Sequence, residues 1–506
     1  MQKFRLNHMK SFADSKEIDI KPITIFVGKN SCGKSSLLRF PVVLAQTFRE
    51  EAITPLLFFG NMIDYGNYDD VLYKHEDNCL VFKLSFGREL SRYVRLEAGR
   101  WRSTMAQGLR NHFYSYKSSA ELQVTIDKPL KKIEVKKAEL YLDTLKICDL
   151  EREGEKEYIF RFYQFYNGDS WEKWEKEIIL PEAQFDKFIP FVGVENLVGQ
   201  FCLQEGLTSK ENDFEQDFGV FFSYDKFLQH VDELKKPELE KVYCMAAFVQ
   251  AYFRGIKWQL ADEAANMVYI GPFRENPKRI YRDSESSYND VGVNGEYTGM
   301  LLRQAAQENT ELLGNVSGWF QDAMGYSLDV KEAGNGLFSI MVRGRACADN
   351  IMDVGYGISQ VLPIVTQLYN ANNTKLNGRA SLSYQGTTAI FEQPEIHLHP
   401  AAQAQLADLF VNCVTDKKNP VNRILIETHS EHLIRKLQVL VADPESGIDS
   451  DQVAIYYVDK NEEGNSYIEK MELCENGQFE KAWPSGFFDK SYELTKLLMR
   501  AGRKKS

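Results

Sequence analysis

The chain, 506 residues long, lacks several things that would each point to a particular class of protein. No apolar run approaches the ~18 residues a membrane helix needs, and the N-terminus carries no charged-then-apolar leader. A cytoplasmic protein without a membrane partner is therefore expected. The eight cysteines (32, 79, 148, 202, 244, 347, 413 and 474) are scattered, with no C-x-x-C pair. That spacing suggests neither a disulfide framework nor a zinc site and suits a reducing compartment. No heptad repeat runs far enough for an extended coiled coil. Positive charge is in deficit: 61 Lys and Arg against 72 Asp and Glu leave a net charge of −11. This excludes a protein that coats nucleic acid over its whole surface, and leaves only local basic patches. The remaining composition, 43% hydrophobic and 26% charged, is that of a soluble globular protein. Its length calls for a core plus a sizeable insertion.

Near the N-terminus stands Gly28-Lys29-Asn30-Ser31-Cys32-Gly33-Lys34-Ser35, an ungapped G-x-x-x-x-G-K-[ST]. Ile23-Thr24-Ile25-Phe26-Val27 before it reads as a buried strand, and Ser36-Leu37-Leu38-Arg39-Phe40 after it opens a helix. Strand, glycine loop and helix N-terminus together make a phosphate cradle. Gly28 and Gly33 let the backbone turn its N–H groups inward. The expected nucleotide-binding set is Gly28, Asn30, Ser31, Cys32, Gly33, Lys34, Ser35 and Ser36. Lys34 reaches the β- and γ-phosphates of ATP, and Ser35 ligates Mg²⁺.

The second half supplies the partners such a loop needs. Thr387-Thr388-Ala389-Ile390-Phe391 reads as a strand that delivers Glu392, followed by Gln393, Pro394 and Glu395. Glu392 is the expected Mg²⁺-side carboxylate. Ile424-Leu425-Ile426 reads as another strand, ending in Glu427-Thr428-His429-Ser430. His429 either senses the γ-phosphate or is a satisfied turn histidine. Upstream, Asp353-Val354-Gly355-Tyr356-Gly357-Ile358-Ser359-Gln360 opens a helix whose N-terminus suits phosphate.

The order of Walker A loop, Gly-Ser signature, acidic strand and His-containing turn resembles that of ABC-type ATPases. Within them it resembles the OLD-like and SMC/RecF-like branch, bacterial ATPases of the kind found in antiphage defence. Leu6-Asn7-His8-Met9-Lys10-Ser11-Phe12 is similar to the opening of that branch, and Glu392 to Pro400 to its E-[EQ]-P-E-x-x-L-H-P motif. Tyr269-Ile270-Gly271-Pro272-Phe273-Arg274, and the ending Trp483-Pro484-Ser485-Gly486-Phe487-Phe488-Asp489, also resemble bacterial ATPases of this group. The resemblance covers roughly 1–90 and 265–495.

It implies an α/β fold: an ABC-type P-loop ATPase head interrupted by a β-meander and helical insertion and closed by a small C-terminal accessory element. The implied division is 1–90 for the N-terminal lobe, 91–264 for the insertion, 265–470 for the C-terminal lobe and 471–506 for the accessory element. It also implies that Gly357 and Ser359 complete the site of a second copy, hence a homodimer or higher homo-oligomer. Gln393 occupies the position of the water-activating Glu, and an amide cannot take a proton. Either Glu395 replaces it or hydrolysis is slow. The Toprim nuclease domain of OLD proteins has no counterpart after Asp459, so no nuclease activity is expected and the effector belongs on another chain.

The insertion reads as alternating strands at 120–126, 133–142 and 158–162, then helices over 224–262. Arg88, Arg92, Arg95, Arg100, Arg102 and Arg110, with Tyr93 and Trp101, make either a nucleic-acid surface or a solvated face. Lys128, Lys131, Lys132, Lys136 and Lys137 read as solvated edge charges, and Arg500, Arg503, Lys504 and Lys505 as a disordered end. Arg274 has either a phosphate or interface role or a structural one. His397 and His399 read as a turn at a dimer face rather than as metal ligands. Three roles stay open: a switch that controls a separate effector in antiviral defence, a DNA repair or maintenance ATPase, and a ligand-binding regulator that rarely hydrolyses ATP.

Overall fold

The apolar run ending in Gly28 forms the strand Ile23–Gly28, an interior strand of a six-stranded sheet in the computed structural model. The structure describes every residue except 76–78, 99–118, 155–156, 168–169, 208–235, 346, 371–385, 417–420, 485–495 and 499–506. Arg100, Trp101, Arg102, Arg110, Leu228, Val231, Leu234, Ser485 to Asp489 and the basic residues from Arg500 onward lie outside the described residues. The chain divides into two compact units, Met1–Ile18 with Val43–Ala265 and Asp19–Val42 with Asn266–Ser506. The expected division at residue 90 falls inside the first of these. The reason is strand pairing: Lys3–Met9 runs antiparallel to Leu80–Phe86, in the same sheet as the meander.

That first sheet has nine strands. Trp171–Leu180, Glu157–Tyr166, Leu145–Glu153, Glu134–Leu142, Ala120–Asp127, Leu80–Phe86, Lys3–Met9 and Phe12–Asp14 follow one another across it, and Ile18–Asp19 pairs with Lys3–Met9. Alternation sets the faces, as in Ala120–Asp127, where Ala120, Leu122, Val124 and Ile126 are buried. The expected helical stretch appears as the 30-residue helix Lys236–Ala265. It packs against Leu90–Ala98 so closely that a Cβ on Gly255 would lie 2.7 Å from Val94 Cγ2. The strand Glu134–Leu142 is interior to the sheet, so Lys137 is no edge charge. It sits 3.1 to 3.8 Å from Glu151 and Asp149 on the neighbouring strand Leu145–Glu153 and from Glu139 on its own.

In the second unit the sheet order is Met267–Ile270, Thr387–Glu392, Val421–Thr428, Ile23–Gly28, Val453–Lys460, Ser466–Lys470; all neighbours are parallel except the last pair. Parallel neighbours need crossovers, and the helices Pro400–Thr415 and Glu431–Ala442 supply two of them. Pro400 begins the first helix, His399 Nδ1 accepts from the Ala401 N–H at 3.4 Å, and Ser430 Oγ accepts from Leu433 N–H at 3.0 Å to cap the second. Ile23, Ile25, Val27, Phe391, Ile424 and Ile426 form one core with Leu406, Phe410, Leu433 and Leu437 of these helices. The same core takes in the helix Tyr356–Asn370, buried almost throughout from Ile358 to Leu368, and a small four-stranded sheet around Leu337–Arg343. The parallel strands all end at one edge of the sheet, where α/β folds place their sites.

Candidate functional site

Five segments converge at that edge: the loop after Gly28, the turns after Ile270, Glu392 and Thr428, and the strand end at Asp459. Gly28 pairs in register with Val458, and a Cβ there would fall 1.9 Å from the Val458 carbonyl oxygen. Only glycine fits that approach. Gly33 (φ 99°) and Ser31 (φ 60°) take left-handed backbone, bending the loop back towards the helix Lys34–Leu38.

Lys34 is buried, its side chain only 3% exposed. Its Nζ donates to the Lys29 carbonyl at 2.6 Å and lies 3.9 Å from Glu427 Oε1. Burial pulls the Lys34 ammonium below its ordinary value. The Ser35 hydroxyl donates to Glu427 Oε2 at 2.6 Å. Burial pushes the Glu427 carboxyl up, against the pull of the Ser35 hydrogen bond. Beside the loop, Lys29 Nζ meets Asp459 Oδ2 at 2.7 Å, and Tyr457 OH donates to the same oxygen at 2.8 Å. Cys32 Sγ lies 3.7 Å from Asp459 Oδ1.

Glu392 and Glu427 are register partners on adjacent parallel strands. Their surroundings differ. Arg39 donates to both oxygens of Glu392, Nε to Oε1 at 2.5 Å and Nη2 to Oε2 at 2.8 Å, and Tyr269 OH donates to Oε1 at 2.6 Å. Gln393 has left-handed backbone (φ 45°), and its N–H donates to the Glu427 carbonyl at 2.8 Å. Arg274 lies beneath this turn, Nη2 to the Glu392 carbonyl at 2.5 Å and Nη1 to the Gln393 carbonyl at 3.1 Å. Burial lowers its guanidinium to about 10. Both of these hydrogen bonds hold backbone, which is the structural one of the two expected roles. Glu395 is buried; its Oε1 accepts the His429 N–H at 2.7 Å and its Oε2 has no hydrogen-bond partner among the described residues. Burial raises the Glu395 carboxyl and lowers the His429 imidazole to about 4, so His429 is neutral at pH 7.

The edge therefore brings together the loop residues, Glu392, Gln393, Glu395 and His429. Gly357 and Ser359 meet neighbours of their own chain. A Cβ on Gly357 would lie 2.7 Å from the His397 carbonyl oxygen, so this glycine is required for packing on the Glu395 turn. Ser359 is 7% exposed and donates to the Tyr356 carbonyl at 2.9 Å within its own helix. Gly355 and Tyr356 at this helix start, with Met352 and Asp353 just before them, face solvent. In the other unit, Arg88, Arg92 and Arg95 are exposed, but Tyr93 is buried, its OH bonded to Asp262 at 2.7 Å, and offers no stacking platform.

Sequence reasoning missed Glu427 and Arg39. Glu427 carried the very signal that singled out Glu392, a carboxylate ending an apolar strand. Nothing in its spacing marked Arg39, whose partner lies 353 residues away.

Residues 327–434 match the model of the AAA ATPase domain, and residues 448–498 match a domain described as a protein of unknown function, DUF3696. The second match starts ahead of the expected accessory element and includes the last two strands of the parallel sheet. No curated protein matches the chain. Among solved structures it is similar to an Smc head bound to the C-winged helix domain of ScpA, at 10% identity over 93% of this chain and 97% of that one, TM-score 0.37. It is also similar to the Smc head with an extended coiled coil bound to the C-terminal domain of ScpA from Pyrococcus furiosus, at 11% identity over 98% and 99%, TM-score 0.37. The SMC head domain from Thermotoga maritima matches at 10% identity over 93% and 99%, TM-score 0.33. At such scores the fold is read from the strand order and the loop themselves.

Proposed function

We propose that this chain is an ABC-type ATPase that binds and hydrolyses ATP with Mg²⁺. On this reading it works as a homodimer or higher homo-oligomer and switches a separately encoded effector in defence against phage or mobile DNA. One observation carries the ATPase reading: the Walker A loop places Lys34 and Ser35 against Glu427 at the strand edge that also holds Glu392 and His429. The AAA ATPase domain match over 327–434 supports it from the other half of the chain. The hydroxyl of Ser35 and a neighbouring carboxylate are hard oxygen donors of the kind Mg²⁺ takes. When bound, the metal neutralises phosphate charge. Lys34 adds a fixed cation, and the loop N–H groups orient the phosphates. The defence role rests on the resemblance of the motifs.

Calorimetric titration of ATP into the chain tests the reading. Lys34→Ala is expected to abolish detectable ATP binding while the folded state persists, because Lys34 is the loop's own cation for the β/γ-phosphates. Unchanged affinity in the folded variant rejects it.

The second reading, a DNA-maintenance ATPase, draws on the exposed Arg88, Arg92 and Arg95. A sequence-independent DNA affinity that falls steeply with salt, and is lost on replacing these three, distinguishes it.

A further inference from the structure

Two acidic strand ends reach the nucleotide edge, and the structure gives them different work. Glu392 has both oxygens engaged by one guanidinium and a third hydrogen bond from Tyr269. A carboxylate held in a bidentate arginine fork has its charge balanced and its lone pairs directed away from any further cation. Glu427 is held otherwise. One oxygen accepts from Ser35, the hydroxyl that a P-loop offers to its metal, and its ion-pair contact among the described residues is Lys34 at 3.9 Å.

We propose that Glu427, and not Glu392, is the carboxylate that holds Mg²⁺ opposite Ser35, while Glu392 is a staple that ties Arg39 to the strand Thr387–Glu392. This rests on the ATP-binding reading above. The two residues share a register on adjacent strands, so the exchange of roles needs no change of backbone. Glu427 stands one strand closer to the loop: its strand pairs directly with Ile23–Gly28, whereas the Glu392 strand does not. The inserted arginine thus withdraws the outer carboxylate, and the inner one takes its place at the metal. Gln393, whose N–H is bonded to the Glu427 carbonyl, fixes the backbone of both strand ends together.

The test measures the affinity of the whole chain for a fluorescent ATP analogue, once in EDTA and once in excess Mg²⁺. Mn²⁺ paramagnetic resonance of the nucleotide complex gives a second readout. Glu427→Gln is expected to lose at least about 10–100-fold of the metal-dependent gain in affinity, the scale already seen when only a partner that orients a metal ligand is removed. Its affinity in EDTA should be retained or rise, because a negative charge beside Lys34 and the phosphate site is removed, and retained binding also reports that the variant is folded. Glu392→Gln should keep the metal-dependent gain and melt at a lower temperature. Glu427→Asp keeps the charge on a shorter stem and is the second variant; an intermediate gain supports the assignment. A full gain in Glu427→Gln with a lost gain in Glu392→Gln overturns it. If wild type binds no ATP in either condition, the nucleotide reading itself falls; a full gain in Glu427→Gln beside a binding wild type rejects the assignment alone.

Discussion

Gln393 has left-handed backbone at the end of the strand that carries Glu392, a conformation that costs a non-glycine residue about 1 kcal/mol or more. The hydrogen bonds from its N–H to Glu427 and from Arg274 to its carbonyl hold it there. Its neutral amide can orient a water but cannot accept its proton. Glu395, the other expected base, is buried and spends one oxygen on the His429 N–H, which makes it a brace between two turns. Slow wild-type hydrolysis is therefore expected. Gln393→Glu should raise the steady-state ATPase rate by about 10²-fold or more, the scale on which a positioned base acts. Glu395→Gln should change it far less. An inert Gln393→Glu beside a dead Glu395→Gln would assign the base to Glu395 instead.

At the level of elements, the Arg39–Glu392 pair joins the end of the Walker A helix to a strand two places away in the sheet. Glu392 is 2% exposed and is held by this bidentate fork. Arg39→Met leaves a buried carboxylate with Tyr269 as its side-chain donor among the described residues, and should destabilise the chain by about 3 kcal/mol. Adding Glu392→Leu removes the orphaned charge, and the double variant should recover part of that loss. Urea unfolding of the single and double variants measures the coupling; strictly additive losses would deny the staple. The strands and their faces were legible in the sequence, because alternation and apolar runs report burial directly. Lys136 is exposed as expected, but Lys137 reads as an edge charge and lies on an interior strand among carboxylates, because a strand's neighbours are set by pairing, which its own residues do not state.

For the whole molecule, the proposed dimer needs an outward face on the signature helix. Ser359 and Gly357 are occupied within the chain, whereas Tyr356 is 66% exposed and Met352 47% exposed at the same helix start. Tyr356→Glu should weaken ATP-dependent self-association by about tenfold or more, as expected for an aromatic anchor at an interface, while leaving ATP binding to the monomer intact. Analytical ultracentrifugation with and without ATP reads this. ATP-dependent dimers of unchanged affinity in Tyr356→Glu would place the contact elsewhere.

The sequence by itself determined the phosphate loop, because G-x-x-x-x-G-K-S between an apolar strand and a helix is a local arrangement whose geometry its own residues dictate. It also determined the α/β alternation of the second half, the meander of the first and the scatter of cysteines. The tertiary structure alone decided which of two strand-end carboxylates meets Ser35, since that depends on strand order and on an arginine 353 residues from its partner. It likewise decided that Tyr93 and Ser359 are buried, that Gly357 packs against the His397 carbonyl, and that the opening strand belongs with the meander. Burial, register and partner choice arise between segments distant in the chain, and no local pattern encodes them.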